Sequence, residues 1–319
     1  MTIDAAAAAR LPVVLLAVGS DDDALDACLG ALDAGTPAGA RVWLADDAQA
    51  GPRGLAIIER WLQRTALAGD YSRRQRALGE VAHLDEALRA CGTADVVVLA
   101  ADAVPAPGWL AQLAACLARD PAIATATPWC NAGEAASWPR SGEVAPLPVD
   151  PARLARACAA LPPLHPELPA AVAHAVVLRG NARQRAGGLD LDSYGSWYAA
   201  LIDLSLRMSG LGWRNVLCET AFVGRGGEGL PADGDLDVLA ARWPRWHARL
   251  AQFLMDDPLH PLRQQLLQAQ ADATPASPQH ELFAAETVLG AAAEVESATI
   301  EAEVETKTET ETTAGAPSA

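Results

Sequence analysis

Apolar and polar positions fall into blocks along the first third of the chain. Continuous apolar runs at VVLLAV (13–18), RVWLA (41–45) and DVVVLA (95–100) predict strands buried on both faces. Between them, DALDACLGALDAG, GLAIIERWLQRTALAG and LGEVAHLDEALRACG repeat apolar residues at helical spacing and close on glycines suited to a left-handed stop. That β-α-β-α-α-β order predicts an α/β fold with a mostly parallel sheet covered by helices. A helix, WLAQLAACLARD, follows from Trp109. PAAVAHAVVLRGNARQRAGGLDLDSYG reads as strand, helix and glycine turn, and SWYAALIDLSLRMSGLGWRNVLCETAFVG as a helix followed by a strand. LDVLAARWPRWHARLAQFLMDDPLHPLRQQLLQAQ predicts two helices split at a proline-flanked turn. No internal repeat is present, which removes solenoids and propellers.

The pattern fades near the C-terminus. The expected organisation is a flexible start (1–10), a globular domain (11–268) and a disordered acidic tail (269–319), because the tail is rich in Glu, Thr, Ala and Pro and poor in aromatics. From Gln270 onward there are ten acids and a single base, so the tail carries about −9 of the formal charge of −16. The remainder is only mildly acidic. That balance excludes a nucleic-acid face, which needs clustered Lys and Arg. The short basic groups Arg73, Arg74 and Arg76, or Arg179, Arg183 and Arg185, read as solvated faces or local anion sites.

Six cysteines lie scattered without a CxxC pair, as expected for reduced, buried thiols in a cytoplasmic protein. The apolar run at 11–18 follows only Arg10 and reads as a strand rather than a leader. No run approaches the roughly 18 apolar residues that span a bilayer, so membrane contact is expected to be peripheral at most.

Candidate chemistry sits at strand ends. In open α/β sheets ligands lie outside the carboxyl ends of the strands, and here AVGSDDD (17–23), ADDAQ (45–49) and AADAVP (100–105) each offer carboxylates. Asp21 to Asp23 fit a helix cap. Asp46 and Asp47 fit either a ligand role or a turn pair that accepts nearby backbone amides. Asp102, alone after a buried strand, needs a partner.

Taken in order, VVLLAVGS, CLGALDAGTPAGARVWLADDAQ, ALGEVAHLDEALRACGTADVVVLAADAVPAPGWL, TATPWCNAGEAASWPR, AGGLDLDSYG, DLSLRMSGLGWRNVLCETAFV and MDDPLHPLR resemble family 2 glycosyltransferases of GT-A fold. They resemble in particular the rhamnosyltransferase-like branch that acts in surface polysaccharide assembly. The resemblance spans roughly 11–268 and implies transfer of a sugar from a nucleotide diphosphate sugar to a glycan or other acceptor hydroxyl. It also implies a general base and a divalent cation, commonly Mg²⁺ or Mn²⁺. Carried over by position, Asp46, Asp47, Asp102 and Arg225 fall on the donor side, Asp102 on the metal, and Asn131 on the acceptor side.

Several positions depart from the family pattern. The first acid of the metal motif is Ala100, and the acidic pair that supplies the base reads Ala200 and Leu201. A histidine after the AFV strand is Arg225, and the first strand ends on Ala17, Val18, Gly19 and Ser20. Arginine repels a cation but can itself contact a diphosphate. Replacement bases by sequence position are Asp203, Asp192 and Glu228, although Asp203 also fits an i,i+4 pair with Arg207, Asp192 a turn and Glu228 a glycine loop. The expectation is a transferase with a rebuilt, metal-poor site, or else an inactive relative serving as a binding or scaffold subunit. Among the tryptophans, Trp129, Trp138, Trp197 and Trp213 fit either a sugar platform or core. Gly224, Gly226, Gly227 and Gly229 suggest a loop over the site.

Overall fold

The computed structural model describes residues 10–227 and 230–272. Glu228, Gly229 and nearly all of the expected tail therefore lie outside the described residues. The chain divides into a unit Met1–Ala271, which carries every element below save the last residue of the final helix, and a unit Asp272–Ala319.

Eight strands make one sheet: β1 (Val13–Ala17), β2 (Arg41–Asp46), β3 (Ala68–Arg73), β4 (Val96–Leu99), β5 (Ala103–Pro105), β6 (Ile123–Trp129), β7 (Ala175–Leu178) and β8 (Arg214–Arg225). Their spatial order is β3-β2-β1-β4-β7-β6-β8-β5. β1 runs parallel to β2 and β4, with Leu15 opposite Trp43 and Val98, and β2 runs parallel to β3. β7 enters antiparallel between β4 and β6, and β5 pairs antiparallel with the end of β8. The result is the mixed α/β sheet of GT-A-like proteins, parallel through its first half.

Among the described residues there are ten α-helices: α1 (Asp22–Gly35), α2 (Pro52–Leu62), α3 (Glu80–Ala90), α4 (Trp109–Arg119), α5 (Pro151–Ala159), α6 (Gly180–Ala186), α7 (Trp197–Gly210), α8 (Asp235–Arg242), α9 (Trp246–Asp256) and α10 (His260–Asp272). Period-2 alternation along the strands sends Val14, Leu16, Val97 and Leu99 into one core with Leu25, Leu29 and Leu113, and sends Leu15, Val96 and Val98 into another with Leu84, Leu88 and Leu204. Each buried leucine contributes roughly 1.5–3 kcal/mol by leaving water.

Two local features fix the frame around the site. Helix α7 is apolar nearly all round, Ala199 to Leu206 and Met208 being buried, so it is a core helix and not a surface one. Gly180 lets α6 approach the entry to β4, since a Cβ there would meet the Thr93 carbonyl oxygen at 2.1 Å.

The structure adds elements that the pattern did not announce. β3, AGDYSR, is a largely exposed edge strand with no apolar run to betray it. β6 and α5 fill a stretch left without assignment, and the C-terminal helical region holds three helices, since WPRW breaks α8 from α9.

Candidate functional site

A cavity of about 680 Å³ opens at the carboxyl ends of β1, β2 and β4. One wall is the β1 end from Ala17 to Asp21, together with Asp47, Gln49 and the start of α3. The other is Ala100 to Asp102, Trp197 at the start of α7, and Arg225 to Gly227 after β8. Parallel neighbours β1, β2 and β4 end together, which puts three sequence-distant loops around one opening.

On the first wall the acids hold backbone. Asp21 caps α1 by accepting from the amides of Asp23 and Ala24, both at 3.0 Å. Asp46 is fully buried, accepts the amides of Gln49 (2.7 Å) and Ala50 (3.2 Å) on Oδ1, and on Oδ2 takes the Tyr71 hydroxyl (2.8 Å) and Arg73 Nη1 (3.1 Å). Asp47 faces the cavity while accepting the amides of Leu78 (2.7 Å) and Gly79 (2.9 Å). These bonds draw the β3-α3 loop against the end of β2. They also leave Asp46 behind the wall and Asp47 on it.

Among the described residues, the second wall holds the one ion pair that lines the opening. Antiparallel pairing places Ala103 opposite Arg225, which brings Asp102 alongside the end of β8. Arg225 donates from Nε to Oδ2 (3.1 Å) and from Nη2 to both oxygens (3.0 Å each) of Asp102. The Gly227 amide adds a bond to Oδ2 at 3.1 Å, and the Gly226 amide donates to the Asp102 carbonyl at 2.9 Å. Side-chain exposure is 8% for Arg225 and 22% for Asp102, so the pair is held where water screens it weakly. Arg225 Nη1 makes no hydrogen bond among the described residues.

Asn131 acts on Arg225 from behind. It is buried; its Oδ1 accepts the Arg225 amide at 2.8 Å, while its Nδ2 donates to the Arg225 carbonyl at 3.1 Å and to the Ala145 carbonyl at 2.8 Å. A two-ended amide matches a strand backbone, so Asn131 fixes where the arginine leaves the sheet.

A divalent cation does not suit this donor set. Ala100 offers no oxygen on its side chain, both Asp102 oxygens face a guanidinium, and among the described residues no group of three or more His, Cys, Asp or Glu is placed to hold a metal.

The structure does not bring Asp203 to the cavity. It is fully buried in α7, its Oδ2 accepts Arg207 Nε at 2.8 Å, and its Oδ1 meets Trp243 Nε1 at 2.9 Å and Arg242 Nε at 3.2 Å. Ala200 and Leu201 are likewise buried in the core. Of the four tryptophans, Trp197 lines the cavity. Trp129 is core with Arg263 stacked at 5.3 Å, Trp138 is core, and Trp213 lies under Arg185 at 6.0 Å.

Other titratable groups at the site carried no motif. Glu80, which opens α3, lines the cavity and accepts the Trp197 amide at 3.2 Å. Although the residue as a whole is exposed, burial around its carboxyl raises its pKa. His83 lies one turn on. Beside Trp197, Tyr198 donates its hydroxyl to Glu134 Oε1, a partner that becomes visible only once the 130s loop is folded. The available signal was position: Glu80 starts an amphipathic helix after Gly79, and Glu134 follows Asn131 by three.

No protein-family model and no curated protein matches the chain by sequence. Solved structures match by fold. The mannosyltransferase PcManGT from Pyrobaculum calidifontis, in complex with GDP-Man and Mn²⁺, is 19% identical with a TM-score of 0.53, over 88% of this chain and 81% of that one. GalNAc-T7 with UDP, GalNAc and Mn²⁺ is 13% identical with a TM-score of 0.55, over 82% of this chain and 55% of that one. S. aureus TarS 1-349 with UDP-GlcNAc is 12% identical with a TM-score of 0.50, over 72% of this chain and 64% of that one. These likenesses establish the fold as that of nucleotide-sugar glycosyltransferases. Among the described residues no helix is long and apolar enough to cross a membrane.

Proposed function

We propose that this chain is a cytoplasmic glycosyltransferase of family 2 type that takes a nucleotide diphosphate sugar into the cavity at the ends of β1, β2 and β4. It passes the sugar to a glycan or other hydroxyl acceptor in surface polysaccharide assembly, in the manner of the rhamnosyltransferase-like branch it resembles. The carrying observation is the Arg225–Asp102 fork. In this reading a fixed guanidinium stands where a cation is commonly used, and Nη1 of Arg225 meets the diphosphate. Asp47 and the β1 end shape the nucleoside side, and Trp197 offers a flat face to the sugar.

The chemistry asked of these residues is electrostatic. As the bond to the sugar breaks, charge grows on the leaving diphosphate, and a preorganised donor in a partly dry site stabilises that charge without reorganising. Asp102 keeps the planar guanidinium aimed, and Asn131 keeps its backbone in place.

A second reading, a catalytically inactive binding or scaffold subunit, is favoured by the burial of Ala200 and Leu201 where the resemblance expects a base. Calorimetric titration with UDP-, dTDP- and GDP-sugars, with and without Mn²⁺, tests the first part of both. The expected result is binding of one nucleotide class that does not depend on the cation. An absence of heat with every nucleotide sinks the donor site.

A further inference from the structure

The nucleoside side of the cavity holds a carboxylate with an open oxygen. Glu80 opens α3 directly after Gly79, whose amide bonds Asp47, so it stands beside Asp47 on the first wall. Each oxygen of Asp47 already accepts an amide. Glu80 is different. Its Oε1 takes the Trp197 amide at 3.2 Å, which fixes the carboxylate where the two walls meet, and its Oε2 makes no hydrogen bond among the described residues.

Helical spacing sets what stands beside that carboxylate. Glu80, His83, Leu84 and Ala87 fall at i, i+3, i+4 and i+7 on α3, and all four line the cavity from one helix face. The His83 ring is half-buried and makes no hydrogen bond among the described residues. Leu84 and Ala87, with Leu15 and Ala45 of the sheet, supply an apolar floor. Among the described residues that line the cavity, Arg225 on the far wall is the sole Lys or Arg. A phosphate is therefore drawn to Arg225 and repelled by Glu80, and the group that suits the Glu80 end is flat, neutral and rich in N–H.

We propose that Glu80 and His83 select guanine as the base of the donor, the carboxylate accepting N1–H and one hydrogen of the 2-amino group while the imidazole N–H donates to O6. This deepens the donor reading above and rests on it. Residues three apart on a helix stand one turn apart, close enough for one base edge to meet both. Oε1 keeps a second lone pair beyond the one that Trp197 uses, so both oxygens of Glu80 can accept. A donor followed by two acceptors complements the base-pairing edge of guanine, which reads acceptor, donor, donor. Uracil and thymine show a single N–H between two carbonyls, and one of those oxygens would face the carboxylate. Adenine and cytosine put an amino group against the imidazole N–H and a ring-nitrogen acceptor against the carboxylate.

The test is calorimetric titration of the full chain with GDP, ADP, CDP, UDP and dTDP, and with inosine diphosphate (IDP), which lacks the 2-amino group. GDP is expected to bind at least about tenfold tighter than ADP, CDP, UDP or dTDP, and about fivefold tighter than IDP. Glu80→Gln keeps an oxygen for the Trp197 amide but turns an N–H toward the base. In that variant the preference for GDP over UDP is expected to shrink to within about threefold, and GDP and IDP to bind alike. His83→Phe is expected to weaken GDP about fivefold and to preserve the gap between GDP and IDP. Should Glu80→Gln fail to fold, the parent carries the test, and equal affinity for GDP and IDP overturns the carboxylate contact. Any of the other four bases binding as tightly as guanine overturns the assignment while the donor site stands. A preference for GDP that survives Glu80→Gln overturns the role of Glu80. A parent that binds no nucleotide overturns both readings.

Discussion

Across the cavity, the wall built from β1, β2 and α3 and the wall built from the turn after β4, the end of β8 and the start of α7 use their charged groups differently. On the first, Asp21 and Asp46 accept backbone amides from their own loops, Asp46 also taking Tyr71 and Arg73 from behind the wall, and Asp47 accepts amides of the β3-α3 loop, so negative charge is converted into loop geometry. On the second, Asp102 and Arg225 meet across more than a hundred residues of chain, and a buried amide holds the arginine from behind. The first wall is a shaped receptacle with its charges quenched by N–H dipoles. The second holds an ion pair at the opening, its guanidinium directed by Asp102. A cleft divided this way suits a ligand that is neutral at one end and anionic at the other, as a nucleoside diphosphate is.

The largest expected effect breaks the second wall. Arg225→Ala strips the partner from a partly buried carboxylate, so nucleotide affinity is expected to fall about 100-fold or more by calorimetry, and stability by about 3 kcal/mol in denaturant unfolding. Equal affinity in the variant would place the diphosphate elsewhere. Behind the first wall, Asp46→Ala takes the acceptor from Tyr71 and leaves Arg73 with the Ala50 carbonyl alone, and is expected to cost about 3 kcal/mol of stability while diminishing binding only through the loop. A loss of affinity without any loss of stability would show direct contact with the ligand instead.

A smaller effect concerns His174, packed just ahead of β7. Burial, and next the charge of Arg225, push its pKa down to about 3. The unfolded chain binds this proton near pH 6.5, and the folded one does not until about pH 3. Stability contributed here is therefore present above the unfolded value and is lost as pH falls through that window, at no more than about 1.4 kcal/mol per pH unit. His174→Leu should flatten the acid arm of a plot of thermal midpoint against pH. An arm of unchanged slope would assign acid sensitivity to other groups. The smallest effect is a null: EDTA should alter nucleotide affinity by less than about twofold, and a larger drop would return a cation to the site.

How far the sequence reached follows from the same physics. β1, β2 and β4 were legible because strands buried on both faces need unbroken apolar runs, and their carboxyl ends pointed to the cavity wall. β3 was not, because an edge strand with one wet face can be written AGDYSR and look like a loop. Asp46 and Asp47 were left between ligand and turn, and their bonds to Gln49, Ala50, Leu78 and Gly79 arise partly from residues over thirty positions away, which no local pattern displays. Arg225 was read as a departure at a histidine's position. Its meeting with Asp102 depends on β5 pairing with β8, a long-range register. Glu134 was marked only by its position three after Asn131, and its bond to Tyr198 forms only once α7 is packed beside its loop.

The Arg225–Asp102 fork changes the thermodynamics of any ligand that uses it. A site that borrows a divalent ion runs two linked equilibria, and its apparent affinity rises and falls with the free ion concentration of its compartment. A site that carries its own cation on a folded strand runs one. On the proposed reading, its occupancy follows the nucleotide sugar alone, indifferent to swings in manganese or magnesium. The cost is moved into folding, where a charged pair must be drawn out of water once, when the chain is made, and not at each turnover.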